Sequence, residues 1–131
     1  MKMLKLDIDH KKIPWKRMGA VKNICNLRFD FEKSSIHRTR KGYHLRLALL
    51  GNHSDAELCF LQCALGSDFA RESLNWMRVK RGEQSWNVLF SMKFKLKDIG
   101  SAPEKVSEEV ELDRRILIRN LTKGQYDGKA V

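Results

Sequence analysis

The sequence has no run of eighteen or more apolar residues, and its first residues (MKMLKLDID) alternate charge with leucine where a secretory leader needs a continuous apolar stretch. The expectation is therefore an intracellular, cytoplasmic protein with no membrane partner. Cysteine is scarce: three residues, an odd number, cannot complete a disulfide framework, so reduced thiols are expected. Internal repeats and low-complexity tracts are lacking as well, which argues against a solenoid or a fibrous chain. Acidic residues are in deficit, with 16 Asp and Glu against 26 Lys and Arg, a formal charge of +10. What is present is enough apolar material, 42% of 131 residues, to build one hydrophobic core.

The charge is concentrated. Residues 1–53 hold 13 Lys/Arg against 4 Asp/Glu (+9), residues 54–95 hold 6 against 5 (+1), and residues 96–131 hold 7 against 7. A cationic half in a folded domain attracts polyanions by Coulomb steering and counterion release. DNA, RNA or a nucleoside triphosphate therefore leads the list of expected partners.

Periodicity predicts the elements. Met3–Asp9 alternates, with Leu4, Leu6 and Ile8 on one side and Lys5, Asp7 and Asp9 on the other, as a half-buried strand does. A helix is expected from Pro14 to about Cys25, proline being tolerated in a first helical turn. Asn26–Glu32 alternates as a second strand, Lys33–Lys41 reads as a basic loop, and Gly42 opens a third strand with Tyr43, Leu45, Leu47 and Leu49 on one face and His44 and Arg46 on the other. Ser54 with Glu57 three residues later marks a helix start, Gly66 a helix end, and Ser67 a cap for a further helix reaching about Arg78. Trp86–Lys95 alternates as a fourth strand, with Phe90 among its inward residues.

The order β-α-β-β-α-β is that of the ferredoxin-like or RRM-like α+β arrangement: a four-stranded antiparallel sheet with the helices on one face. Residues 1–97 would form this core. Residues 98–131 would be a polar C-terminal extension, in which Ser101 and Pro103 could start a short helix and RRILIRN could be a strand or a docking segment.

In that arrangement the first and third strands are neighbours, so Asp7, Asp9, His44 and Arg46 share the sheet face opposite the helices. Carboxylates two apart on a strand point the same way and can hold Mg²⁺ or Mn²⁺ between them. Arg38, Arg40 and Lys41 supply charge-assisted hydrogen bonds to phosphate oxygens, and Gly42 lets backbone approach a ligand. Arg46 and the flanking Lys93 extend the cationic surface for nucleic acid. Cys59, Cys63 and His53 offer three zinc donors without a fourth. Phe29, Phe31 and Tyr43 fall on the buried face, which removes the stacking platform of an RNA-binding RRM.

The hydrophobic D-x-D strand, followed by R-T-R-K-G-Y-H leading into an apolar strand, resembles motifs I and II of the archaeo-eukaryotic primase superfamily, over residues 4 to 49. The resemblance implies an RRM-like catalytic core that performs nucleotidyl transfer in replication. It further implies catalytic metals at Asp7 and Asp9, and contacts from Arg40, Lys41 and His44 to an incoming triphosphate. The family's motif II has a serine where Arg38 stands. Its third motif asks for an acidic residue on a later strand, where this chain offers Ser91 and Lys93; Asp30 or Glu32 are the geometric substitutes.

Overall fold

The computed structural model describes residues 1–90, 92–95 and 104–122. Its elements are β1 (Lys2–Ile8), α1 (Trp15–Ile24), β2 (Phe29–Arg38), β3 (Tyr43–Leu49), α2 (Asp55–Ala64), α3 (Phe69–Lys80), β4 (Met92–Lys95), β5 (Glu104–Glu108), β6 (Val110–Glu111) and α4 (Arg115–Leu121). The chain is α+β, and its main sheet has four antiparallel strands in the order β1-β3-β2-β6. The central order β1-β3-β2 is the one expected, and the fourth place is filled differently. β6 lies outside β2, whereas the expected fourth strand does not join the sheet: residues 86–90 are not a strand, and β4 pairs with β5 in a separate hairpin.

Alternation sets the faces of the sheet. Leu4, Leu6 and Ile8 of β1, Leu45, Leu47 and Leu49 of β3, and Ile36 of β2 form one core with Met18 of α1, Leu58 and Leu61 of α2, and Leu117 and Leu121 of α4. Each fully buried leucine contributes about 1.5–3 kcal/mol. Because α4 is part of that core and β6 part of the sheet, a boundary at residue 97 does not separate a core from an extension. RRILIRN is neither strand nor loop: all but its first residue lies in α4, whose Leu117 and Leu121 stand four apart on the inner side; Ser101 and Pro103 lie outside the described residues. Among the described residues no helix is long and apolar enough to cross a membrane.

Two further corrections concern boundaries. The basic loop expected at 33–41 shrinks to a tight turn at 39–42, because β2 continues through a register irregularity between Asp30 and Ser35 up to Arg38. Ser34 bridges that irregularity, donating to the Asp30 carbonyl and accepting from the Ala48 amide. Ser54 caps α2 as expected, accepting from the Glu57 amide, and Gly66 (φ 108°) follows the helix end in the left-handed conformation. The cap of α3, however, is Asp68 rather than Ser67.

Ser67 is diverted to the outer edge of β1, whose backbone groups need partners once no strand lies there. The Met3 carbonyl accepts from Asn87 (3.2 Å), the Lys5 amide donates to Gln62 (2.9 Å), and the Lys5 carbonyl accepts from Arg71 (2.8 Å). The Asp7 amide donates to Ser67 Oγ (2.9 Å), and the Asp7 carbonyl accepts from the Asp68 amide (2.7 Å). These side chains are held by one buried carboxylate: Glu72, 3% exposed, accepts from Gln62, Ser67, Arg71 and Asn75. Removing it leaves the Gln62, Ser67 and Asn75 donors unpaired in a dry setting and takes from Arg71 its carboxylate partner. Glu72→Ala is expected to cost about 3 kcal/mol or more, read as a lower urea midpoint, whereas alanine at exposed Glu83 is expected to stay within about 0.5 kcal/mol.

Candidate functional site

Register brings the expected residues together. Asp7 stands opposite His44, and His44 opposite His37, so these three share one rung on the face away from the core; Lys5 and Arg46 share the next rung but one. Asp9 follows the end of β1, and the β2–β3 turn lies beside it. That turn is closed by the Thr39 amide donating to the Gly42 carbonyl (2.8 Å) and the Gly42 amide donating to Thr39 Oγ1 (3.0 Å). Gly42 is needed for packing within the protein rather than for a ligand's approach. A Cβ there would overlap the Ile8 carbonyl and sit 2.9 Å from the backbone N and O of His10. The absent side chain is what lets the turn carrying Arg40 and Lys41 lie against the strand end carrying Asp7 and Asp9.

The result is a cleft of about 300 Å³ lined by Asp7, Asp9, Thr39, Arg40, Lys41 and His44 together with Asp68, Phe90, Ser107, Glu108 and Glu109. Five of the six expected catalytic, metal and turn residues thus meet in one place. Arg38 does not: it ends β2 on the parity of Ile36, opposite Tyr43 and Val110, and is not part of the cleft wall. Lys93 lies in β4, paired with Ser107 and not beside β1. Ser91 lies outside the described residues. Asp30 shares the sheet face but is aligned with Ala48, four residues and about 13 Å along β3 from His44, too far to stand in as a third carboxylate.

The carboxylate that does reach the site is Glu109, where β5 passes into β6. His44 Nδ1 donates to its Oε2 (2.8 Å), and Arg46 reaches both oxygens, Oε1 at 3.0 Å and Oε2 at 3.3 Å. His37 Nε2 lies 3.7 Å from Oε1. Burial pushes the Glu109 carboxyl up, but the hydrogen bonds from His44 and Arg46 and the charges of Arg46 and His37 outweigh it and hold it below its ordinary 4.5. The contacts also assign protons. Arg46 donates to His37 Nδ1 (3.1 Å), which places the His37 proton on Nε2. Since the ionised Glu109 only accepts, His44 carries a proton on Nδ1, and its Nε2 faces Asp7 Oδ1 at 3.5 Å. Glu109 is thereby an orienting residue: it turns one imidazole nitrogen toward the D-x-D carboxylates.

Sequence reading missed Glu109, Glu108 and Asp68. The signal was the Glu108–Glu109 pair between Val106 and Val110, hidden because residues 98–131 read as an extension.

The electrostatics are unusual for so basic a chain. Asp7, Asp9, Asp68, Glu108 and Glu109 all line the cleft, with cationic Arg40 and Lys41 at one end. Lys5, on the same sheet face, has its ammonium pulled below its ordinary 10.5 by burial and by the charges of Arg46 and Arg71. A bare phosphate would meet carboxylates here, so it needs a divalent cation to enter. Among the described residues no three His, Cys, Asp or Glu side chains converge closely enough to hold a metal ion by themselves. Asp7 and Asp9 are hard oxygen donors of the kind Mg²⁺ and Mn²⁺ take.

No protein-family model, curated protein or solved structure matches the chain.

The cysteines are free, and Cys59 is buried, its thiol pushed up to about 11 by burial and by Glu72 and Cys63. His53 is instead paired with Glu57 (3.2 Å).

Gly42→Ala should force the turn away from Asp9 and destabilise the fold by about 1–3 kcal/mol or more, read by chemical denaturation. Glu109 generates a pH prediction. Its carboxyl is depressed in the folded state, so its contribution is complete above the ordinary value of 4.5 and is lost as pH falls through the lowered value. Melting temperatures of wild type and Glu109→Gln should therefore differ most above about pH 5 and converge as pH falls below the ordinary 4.5; a difference that stays constant as the pH is lowered would refute the assignment.

Proposed function

We propose that this chain is a primase-like domain that binds a nucleoside triphosphate with Mg²⁺ or Mn²⁺ in the cleft between the D-x-D strand and the β2–β3 turn, with DNA or RNA as its polymeric partner and nucleotidyl transfer as its reaction. The observation that carries the reading is the meeting of Asp7, Asp9, Arg40, Lys41 and His44 in one cleft, with His44 held there by Glu109. In this reading Asp7 and Asp9 would hold the cation, whose chemistry when bound would be to shield phosphate charge and lower the pKa of a coordinated hydroxyl. Arg40 and Lys41 bind the outer phosphates, and His44, oriented by Glu109, faces the metal-bound group. Arg46 is engaged with Glu109 and supports the site rather than contacting substrate directly.

A second reading, a non-catalytic nucleic-acid-binding domain on the same scaffold, is favoured by the +9 carried by residues 1–53. Thermal unfolding across a Mn²⁺ titration, with and without a nucleoside triphosphate, separates the two. Because the protein supplies few metal ligands of its own, Mn²⁺ alone should stabilise slightly. Metal and triphosphate together should stabilise by about 2.7 kcal/mol at a hundredfold excess over the dissociation constant. Asp7→Asn with Asp9→Asn should abolish that joint gain. Identical curves for the two proteins, with DNA or RNA bound more tightly by the double variant, would establish the non-catalytic reading instead.

A further inference from the structure

Phe90 is a large aromatic side chain left 69% exposed, although the alternation around it assigns it to a buried face. It stands where two clefts meet. The first is the charged cleft described above; the second shares Asp7, His44 and Phe90 with it and continues along Leu74, Val88 and Leu89, with Arg71, Arg78 and Ser85 also in its lining. The lining therefore changes across the ring: carboxylates and the Arg40–Lys41 turn on one side, and on the other three aliphatic side chains and two arginines with no further carboxylate. The residues before Phe90 are firmly anchored. Trp86 is 3% exposed, Asn87 donates to Gln62 and to the Met3 carbonyl, and Arg71 donates to Asn87 Oδ1 (3.1 Å) and the Val88 carbonyl (2.9 Å). The ring is thus presented from a segment fixed to the edge of β1.

A nucleotide has the same division, a polyanionic end and a planar, largely apolar base. We infer that Phe90 is the base platform of this site: the phosphates lie toward Arg40 and Lys41, and the base stacks on Phe90 against Leu74 and Leu89. The inference rests on the proposed function and adds to it the orientation of the bound nucleotide and the residue that distinguishes a nucleotide from a simple polyphosphate. Stacking tolerates any base, because every base has a π-face, so little preference among bases is expected.

The test compares Mn²⁺-loaded protein binding a nucleoside triphosphate with the same protein binding inorganic tripolyphosphate, by calorimetry, in wild type, Phe90→Ala and Phe90→Trp. Wild type should bind the nucleotide about tenfold or more tightly than tripolyphosphate, in keeping with the energy of base–aromatic stacking. Phe90→Ala should close that gap by weakening the nucleotide alone, and Phe90→Trp should preserve it. Since Phe90 is exposed, the variants should melt as wild type does. A gap that survives Phe90→Ala, or tripolyphosphate binding as tightly as the nucleotide in wild type, overturns the platform and leaves the metal–phosphate site standing. Failure of wild type to bind either probe overturns the site and the platform together.

Discussion

The outer edge of β1 is the constraint on which the rest of this structure depends. A strand at the rim of a sheet must find partners for its amides and carbonyls, and among the described residues no strand lies beside this edge. Gln62, Ser67, Arg71 and Asn87 meet this need with side chains, and Asp68 with its own amide. The arrangement explains why α3 is built in an unusual sense. Its buried residues are Glu72 and Asn75, while Phe69, Leu74, Trp76 and Met77 are exposed. A helix that covers a strand edge has to present polar groups to it, and the buried Glu72 carboxylate organises those groups.

Several features follow. The edge is occupied, so the alternating segment after α3 cannot pair with β1; its strand residues pair with β5 instead. That hairpin delivers Glu109 to the sheet face, where His44 and Arg46 hold it. Asp7 is held through both of its backbone polar groups and by its register with His44, so a carboxylate central to the cleft is placed by the same contacts that close the edge. Stability and site geometry are linked here through shared hydrogen bonds. Gly42 adds a second link, since close backbone contact with Ile8 and His10 positions the basic turn against the acidic strand end.

Charge distribution gives the site its chemical character. The surface of a +10 chain attracts anions in general, whereas the cleft itself concentrates carboxylates beside Arg40 and Lys41. The proposed metal-accompanied anion answers to that mixture, since carboxylates disfavour an anion alone. The cluster of His37, His44, Arg46 and Glu109 keeps the tautomers defined, which matters because an imidazole presented with the wrong nitrogen can neither accept a proton nor ligate a metal.

Much of the fold was legible in the residues themselves. The alternation of Leu4, Leu6 and Ile8 against Lys5, Asp7 and Asp9, and of Leu45, Leu47 and Leu49 against His44 and Arg46, determined which side chains face the core, because side-chain direction in a strand has a period of two. The α2 cap at Ser54 and the left-handed Gly66 were equally local. From these alone, Asp7 and His44 were placed on one face. Pairing was not local. Alternation says which way a side chain points but not which strand lies beside it, so the partner of 86–95 and the exposure of Phe90 were decided by tertiary competition for the edge of β1, and the extension of β2 through Arg38 by its pairing with β3 and β6. Glu109, 65 residues from His44 in sequence, entered the site only because folding carried the end of β5 across the sheet. Short-range periodicity determined the orientation of each residue; long-range hydrogen bonding at the strand edge decided which of them met.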